Sequence, residues 1–189
     1  MSNDTNKFII DVARIVEREK PIMASRIIHK IYDGLFEEKP KTIECAKGCS
    51  FCCNNSVHIT ETEVKELAHS IRKTYGKKEM AALKDSLKHI HKKYQKMNRA
   101  DRMLDRTPCP LLVDGSCSAY ESRPLFCRSA FSYSKKACEM AQEDGNMHVP
   151  MEGGAKAMAE DMHIGILLGE RKKEEELTIV EGLIKELKW

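Results

Sequence analysis

Eight cysteines fall in two segments of the chain and nowhere else: Cys45, Cys49, Cys52 and Cys53 in CAKGCSFCC, then Cys109, Cys117, Cys127 and Cys138. Cysteine used as a small buried apolar group would scatter across helix faces. A thiolate metal site needs several sulfurs to converge on one centre, and tight clustering supplies them. The fold this chain adopts must therefore bring the two segments together around their sulfurs.

The two segments differ in kind. Cys49-Ser50-Phe51-Cys52 is a C-x2-C element, whose two intervening residues let a tight turn aim both sulfurs at one point. Gly48, just before it, relieves the backbone strain of such a turn. Cys45 supplies a third donor. Cys53 is adjacent to Cys52, and neighbouring side chains diverge, so Cys53 is expected to reach a second metal, bridge two metals or stay as a redox thiol. Cys109, Cys117, Cys127 and Cys138 are too widely spaced for a local knuckle and must be gathered by the fold. Pro108 and Pro110 around Cys109, and Pro124 ahead of Cys127, stiffen that stretch. All eight are candidate ligands, with Cys49 and Cys52 the firmest and Cys138, furthest out on an expected helix, the weakest. Zinc would use them in closed tetrahedra; an iron–sulfur cluster also takes four thiolates at irregular spacing. The adjacent pair and the surplus over four ligands favour iron.

Around the cysteines the chain reads as helix. Phe8, Ile9, Val12, Ile15 and Val16 form one apolar stripe, and Ile27, Ile28, Ile31, Leu35 and Phe36 another, with Pro21 at the first turn of the second helix. Thr60 and Glu63 form a capping-box signature that opens a helix through Leu67 and Ile71. From Lys77 to Leu104, the spacing of Met80, Leu83, Leu87, Ile90, Tyr94 and Met97 predicts one long amphipathic helix. Thr107-Pro108-Cys109-Pro110 ends it. A short strand is expected at Leu111-Leu112-Val113 before an Asp114-Gly115 turn, then a helix over Lys135–Glu143. Gly145, Pro150, Gly153 and Gly154 mark an irregular connection. Helical spacing resumes at Met158, Met162 and Ile166, and again from Leu177 to Leu187, on either side of the charge run 171–176.

Composition narrows the classes. Charged residues make up 32% of the 189 and aromatics 6%, with one tryptophan, Trp189, which favours a helical protein over a β-sandwich. The N-terminal sequence lacks the basic start and apolar stretch of a secretory signal. The apolar run at Ile164–Leu168 is too short for a bilayer, which needs about 20 residues. A cytoplasmic location and no membrane association are expected, and in a reducing compartment disulfides are disfavoured.

Other candidates carry less. Between Arg72 and Arg102 there are eleven Lys or Arg against three acids, which would suit an anionic partner. Without interleaved aromatics a solvated outer face explains the run better, so nucleic acid is disfavoured and a protein partner stays open. His58 could supplement the thiolates, while His69, His89 and His91 read as helical surface histidines. Met158 and Met162 read as core. Arg123 and Arg128 could either offset thiolate charge or cap loop carbonyls. No nucleotide loop, Ser-His-Asp set or paired catalytic carboxylates are present.

CAKGCSFCC followed by PCPLLVDGSCSAYESRPLFCRS resembles the YkgJ-type CxxCxxCC family, a zinc- or iron-chelating domain with eight cysteines. The similarity runs from Cys45 to Cys138 and includes Pro108-Cys109-Pro110, Gly115, Cys117, Tyr120, Arg123-Pro124 and Cys127-Arg128 in order. One departure is the three residues between Cys45 and Cys49, where the family name has two. The resemblance implies a metal. A related domain in flagellin lysine N-methylases, associated with an iron–sulfur cluster, adds the alternative of a cluster-dependent enzyme. A further alternative is an interaction module with a structural zinc. The expected fold is mostly α, with helices packed around an irregular Cys-rich centre that metal organises. Residues 1–40 would form N-terminal helices, 41–150 the metal-binding part with inserted helices, and 151–189 C-terminal helices, as one compact unit. Within it the second cysteine segment would fold onto the first to make a composite site.

Overall fold

Apolar residues recurring every three or four positions build the body of the molecule, described in a computed structural model over residues 3–38, 40–46, 48–144, 147–171 and 177–188. Gly145, most of the charge run 171–176 and Trp189 lie outside the described residues. The fold is mostly α-helical, as expected.

Helices α1 (Asn3–Arg18) and α2 (Pro21–Leu35) carry the two N-terminal stripes, and Pro21 starts α2, where its missing N–H costs nothing. Helix α3 (Glu61–Thr74) opens on a complete capping box between Thr60 and Glu63. The single helix expected over 77–104 is in fact two, α4 (Lys77–Tyr94) and α5 (Arg99–Leu104). The break is at Asn98, whose extended backbone and side chain, accepting from the Asp101 N–H, cap α5 afresh. The apolar spacing that runs through it is satisfied all the same, because Met97 still packs on the core that α4 builds.

Beyond it come α6 (Leu125–Arg128), α7 (Lys135–Glu143, with the expected bounds), α8 (Gly153–Gly169) and α9 (Ile179–Leu187). Among the described residues there are also four two-residue strands. β1 (His58–Ile59) pairs antiparallel with β4 (Leu177–Thr178), and β2 (Leu112–Val113) with β3 (Ser116–Cys117). The turn between β2 and β3 has positive φ at both Asp114 and Gly115, the geometry that suits an Asp-Gly hairpin. The β1–β4 pair had no sequence signal, since two residues are too few to show an alternation.

Two apolar cores result. One joins α3, α4 and α9 through Leu67, Ile71, Leu87, Ile90 and Leu183. The other joins α1, α2 and α8 through Val12, Ile28, Tyr32, Met162 and Ile166, and takes in Leu125 and Phe131 from the cysteine region. Tyr32 ties this second core further by donating to the Ala155 carbonyl at 3.1 Å.

Helices α1 and α8 approach closely along a small-residue stripe. A Cβ on Gly165 would lie 2.7 Å from Val12 Cβ and 2.8 Å from the Ile9 carbonyl, and one on Gly169 2.6 Å from the Ala13 carbonyl. Alanine would improve helix propensity by about 1 kcal/mol, but the clash is with backbone and a β-branched side chain that cannot yield. Gly165→Ala and Gly169→Ala are therefore expected to destabilise by about 1–3 kcal/mol in urea denaturation. A gain in stability from either would contradict this packing.

Candidate metal centre

The first cysteine segment is held by short-range backbone bonds. Gly48 adopts φ +90°, the conformation for which the sequence placed glycine there. The Cys49 N–H donates to the Ala46 carbonyl at 3.0 Å, and residues Phe51–Asn54 form one 3-10 turn carrying Cys52 and Cys53. Cys45 is docked elsewhere. Its thiol donates to the Ala130 carbonyl at 3.3 Å and its sulfur accepts from the Ser132 N–H at 3.1 Å. Glu44 adds a backbone bond to Ser132 and accepts the Lys135 N–H with its side chain. The chain at 44–45 is thus laced to the residues that lead into α7 and Cys138.

The second segment folds onto the first. The Cys109 N–H donates to the Cys53 carbonyl at 2.7 Å, a bond from the start of the second segment to the end of the first. Cys109 precedes the β2–β3 hairpin and Cys117 lies in it, opposite Leu112. Ser118 fastens the hairpin base with its N–H and hydroxyl on the Leu111 carbonyl, and its hydroxyl also meets the Tyr75 hydroxyl. Cys127 sits on α6, and it packs with Cys109 and Cys117 on the first core. Helix α7, bearing Cys138, packs against the 3-10 turn of Cys52 and Cys53.

All eight cysteines are free thiols; Cys52 is exposed and the other seven are partly buried. Their surroundings disfavour the thiolate form at several of them. Burial pushes the Cys45 thiol pKa up, with neighbouring Cys49, Cys138 and Cys52 adding to it. Burial raises Cys109 to about 12, with Cys117 and Cys52 contributing. Cys127 is driven up by burial and by Cys109, Cys52, Cys117 and Glu63. Cys52 is raised most by its hydrogen bond with Cys53, then by desolvation, although solvent reaches the residue. These shifts have one physical meaning: bare thiolates here lack a counter-charge. A bound cation reverses that penalty. The Arg123 guanidinium, stacked 3.8 Å above the Tyr120 ring and bonded to the Tyr120 carbonyl, is a partial substitute, favouring thiolate at Cys52 and Cys117.

A donor set made wholly of cysteine sulfur suits zinc or an iron–sulfur cluster, so the residues present fit the metal that the sequence implies. Among the described residues no three His, Cys, Asp or Glu side chains converge on one point. The thiols share a neighbourhood without standing at coordination distances.

Other candidates resolve differently. Arg128 is buried, and it bonds the Arg123 and Glu121 carbonyls and pairs with Asp33; capping the loop accounts for it. His58 lies in β1 opposite Thr178. His91, on α4, bonds Gln95 at the helix's C-terminal cap. Met162 is fully buried and Met158 packs beside it in the second core. On α4 Lys88 and Lys92 are exposed, as is Lys96 in the turn beyond it, whereas Lys93 bonds Asp105 and Thr107. Among the described residues no helix is long and apolar enough to cross a membrane.

Sequence reasoning missed the wider part played by Glu63. Beyond capping α3, its buried carboxylate accepts the Leu125 N–H at 2.8 Å, at the start of the helix that carries Cys127, and faces His29 Nε2 at 3.4 Å. The capping box was readable in the sequence. Nothing there signalled a contact with Leu125, 62 residues further on.

The model of the CxxCxxCC family, described as a "putative zinc- or iron-chelating domain", matches residues 44–145, more than half of the chain. No curated protein and no solved structure matches.

Proposed function

The chain belongs to the CxxCxxCC family, and on that premise we propose that it binds iron in preference to zinc through its cysteine thiolates, in a redox or accessory role. The candidate ligands are Cys45, Cys49, Cys52, Cys53, Cys109, Cys117, Cys127 and Cys138. The observation that supports this reading is the number of free thiols the fold gathers from both segments, through the Cys109–Cys53 backbone bond and the packing of α7 on the 3-10 turn. A structural zinc ion takes four ligands, and an iron–sulfur cluster is likewise held by cysteine thiolates. Eight thiols also exceed what one tetrahedral ion takes. When bound, the metal would supply redox capacity and a cross-link between the two segments. The Arg123 guanidinium would temper the negative charge of the thiolates around it.

Protein purified under anaerobic conditions is expected to be brown, with broad visible absorption and stoichiometric iron and acid-labile sulfide. A colourless preparation carrying stoichiometric zinc would replace this reading with a structural one. A folded protein with eight titratable thiols and no metal would remove the site altogether.

A further inference from the structure

Several lysines of α4 stand where helix electrostatics disfavours them. Leu83, Leu87, Ile90 and Tyr94 are buried in the first core, which turns the opposite side of the helix to solvent. On that side Lys77, Lys78, Lys88 and Lys92 are exposed, and Lys96 continues the line in the turn beyond. Lys77 and Lys78 open the helix, at the positive end of its dipole, where a cation is unfavourable. Lys88 and Lys92 are four residues apart, a like-charge spacing that costs helix stability. Among the described residues none of the five makes an ion pair. Of the two acids on α4, Glu79 lies in the first turn beside Gly76, and Asp85 is likewise without an ion pair among the described residues. The exposed pairs Arg14–Asp11 on α1 and Lys156–Glu160 on α8 show the arrangement that a solvated helix face ordinarily takes.

On sequence alone a solvated face explains this run. Unpaired charge kept at a cost to the helix points instead to a use for it. We propose that the outer face of α4 docks an acidic face of a partner protein, through Lys77, Lys78, Lys88, Lys92 and Lys96. From Lys77 to Lys92 the row runs about 22 Å along the helix. The surface suits carboxylates better than other polyanions. Helix α4 contains no arginine for a bidentate grip on phosphate, no Phe or Trp, and its one tyrosine, Tyr94, is buried away from any base that could stack on it. Between the lysines it exposes Ala81 and Ala82, which are too small to anchor in a lipid surface. The C-terminal end of the row is fastened beside the second cysteine segment, because neighbouring Lys93 bonds Asp105 and Thr107, the latter two residues before Cys109. A partner held on α4 is thereby brought to the edge of the cysteine region, in keeping with an accessory role. The surface itself needs no metal, so the inference does not depend on the metal binding proposed above.

The probe is a fluorescent polyglutamate of about 20 residues, long enough to follow the row, titrated with the full-length protein at low ionic strength. Combining Lys78→Gln, Lys88→Gln, Lys92→Gln and Lys96→Gln should weaken binding by about tenfold or more. Combining Lys7→Gln, Lys20→Gln, Lys30→Gln and Lys41→Gln removes the same charge from exposed positions elsewhere and should weaken it by about twofold or less. Equal weakening by the two sets would overturn the proposal, because it would show attraction to net charge and no docking face. Tighter binding of duplex DNA, or of vesicles of phosphatidylserine and phosphatidylcholine, than of polyglutamate would overturn it in favour of those partners. A measurement on the unaltered chain avoids dependence on the variants. Bound polyglutamate should shield Lys88, Lys92 and Lys96 from acetylation more than Lys7, Lys20 and Lys30, and equal shielding would count against the face. Lys78→Glu places an acid in the first turn of α4 and should raise the melting temperature by about 1–4 °C. No gain would mean that Lys78 carries no cost, which removes the ground for assigning it a use.

Discussion

Replacing Glu63 with alanine is expected to destabilise the protein by about 3–5 kcal/mol, the usual cost of breaking a buried charged network from one side. Its carboxylate is wholly buried and each oxygen serves two donors. One faces the Leu125 N–H and His29 Nε2; the other accepts from the Thr60 N–H and hydroxyl. Glu63→Gln keeps the volume, but its amide nitrogen must then face backbone N–H on one side or the other. It should still lose at least about 2 kcal/mol. Burial alone would raise this carboxyl's pKa, yet the His29 contact and the N–H groups of Leu125 and Thr60 outweigh it and hold it at about 2, below the ordinary 4.5. The sign follows. A carboxylate lowered in the folded state stabilises fully above its unfolded pKa and loses that contribution as pH falls through its folded value. The urea midpoint of the unaltered chain should therefore fall between pH 4.5 and 2, by roughly 3 kcal/mol of stability. Glu63→Gln should show a shallower dependence in that window. Parallel acid profiles would mean that Glu63 is not the titrating group. Because Leu125 starts the helix that carries Cys127, the Glu63 variants should also weaken metal retention.

What the sequence made legible was local. The stripes of α1 and α2, the Thr60–Glu63 cap, the Asp114-Gly115 hairpin and the bounds of α7 all depend on residues within a few positions of one another, and each is present. The break at Asn98 escaped because the apolar spacing of Met97 continues through it while the backbone does not. At the site, Gly48 and the C-x2-C turn were readable for the same local reason. The docking of Cys45 on Ala130 and Ser132, and the bond from Cys109 to Cys53, join residues more than fifty positions apart, and no periodicity encodes such pairings. Cys138 shows the consequence. As a position on a helix it has the weakest claim to be a ligand, and the packing of α7 on the 3-10 turn, with the bonds from residues 44–45 to 130–135, brings α7 beside the first segment.

Stripping the metal is expected to loosen the cysteine region while leaving the helices in place. The two cores are built from α1, α2 and α8 on one side and α3, α4 and α9 on the other, with apolar contacts that need no ion. The cysteine segments have less: two-residue strands, a 3-10 turn and a few hydrogen bonds, from Cys109 to Cys53 and between residues 44–45 and Ala130, Ser132 and Lys135. Their thiols are close enough to repel as thiolates and too far apart to coordinate without drawing in, so the ion must contribute part of the closing free energy. At a free metal concentration a thousandfold above the dissociation constant, binding adds about 4 kcal/mol to stability. At about 2–4 °C per kcal/mol for a chain of this size, the melting temperature should drop by roughly 8–16 °C on chelation under reducing conditions. Far-UV circular dichroism at 25 °C should change little, because the lost order is mostly non-helical. Trypsin should gain access at Lys41, at the entry to the first segment, and readdition of metal should restore protection. A chelated protein that kept both its melting temperature and its resistance at Lys41 would show that the cysteine region holds its shape unaided, and the metal would then be cargo or cofactor with no part in the fold.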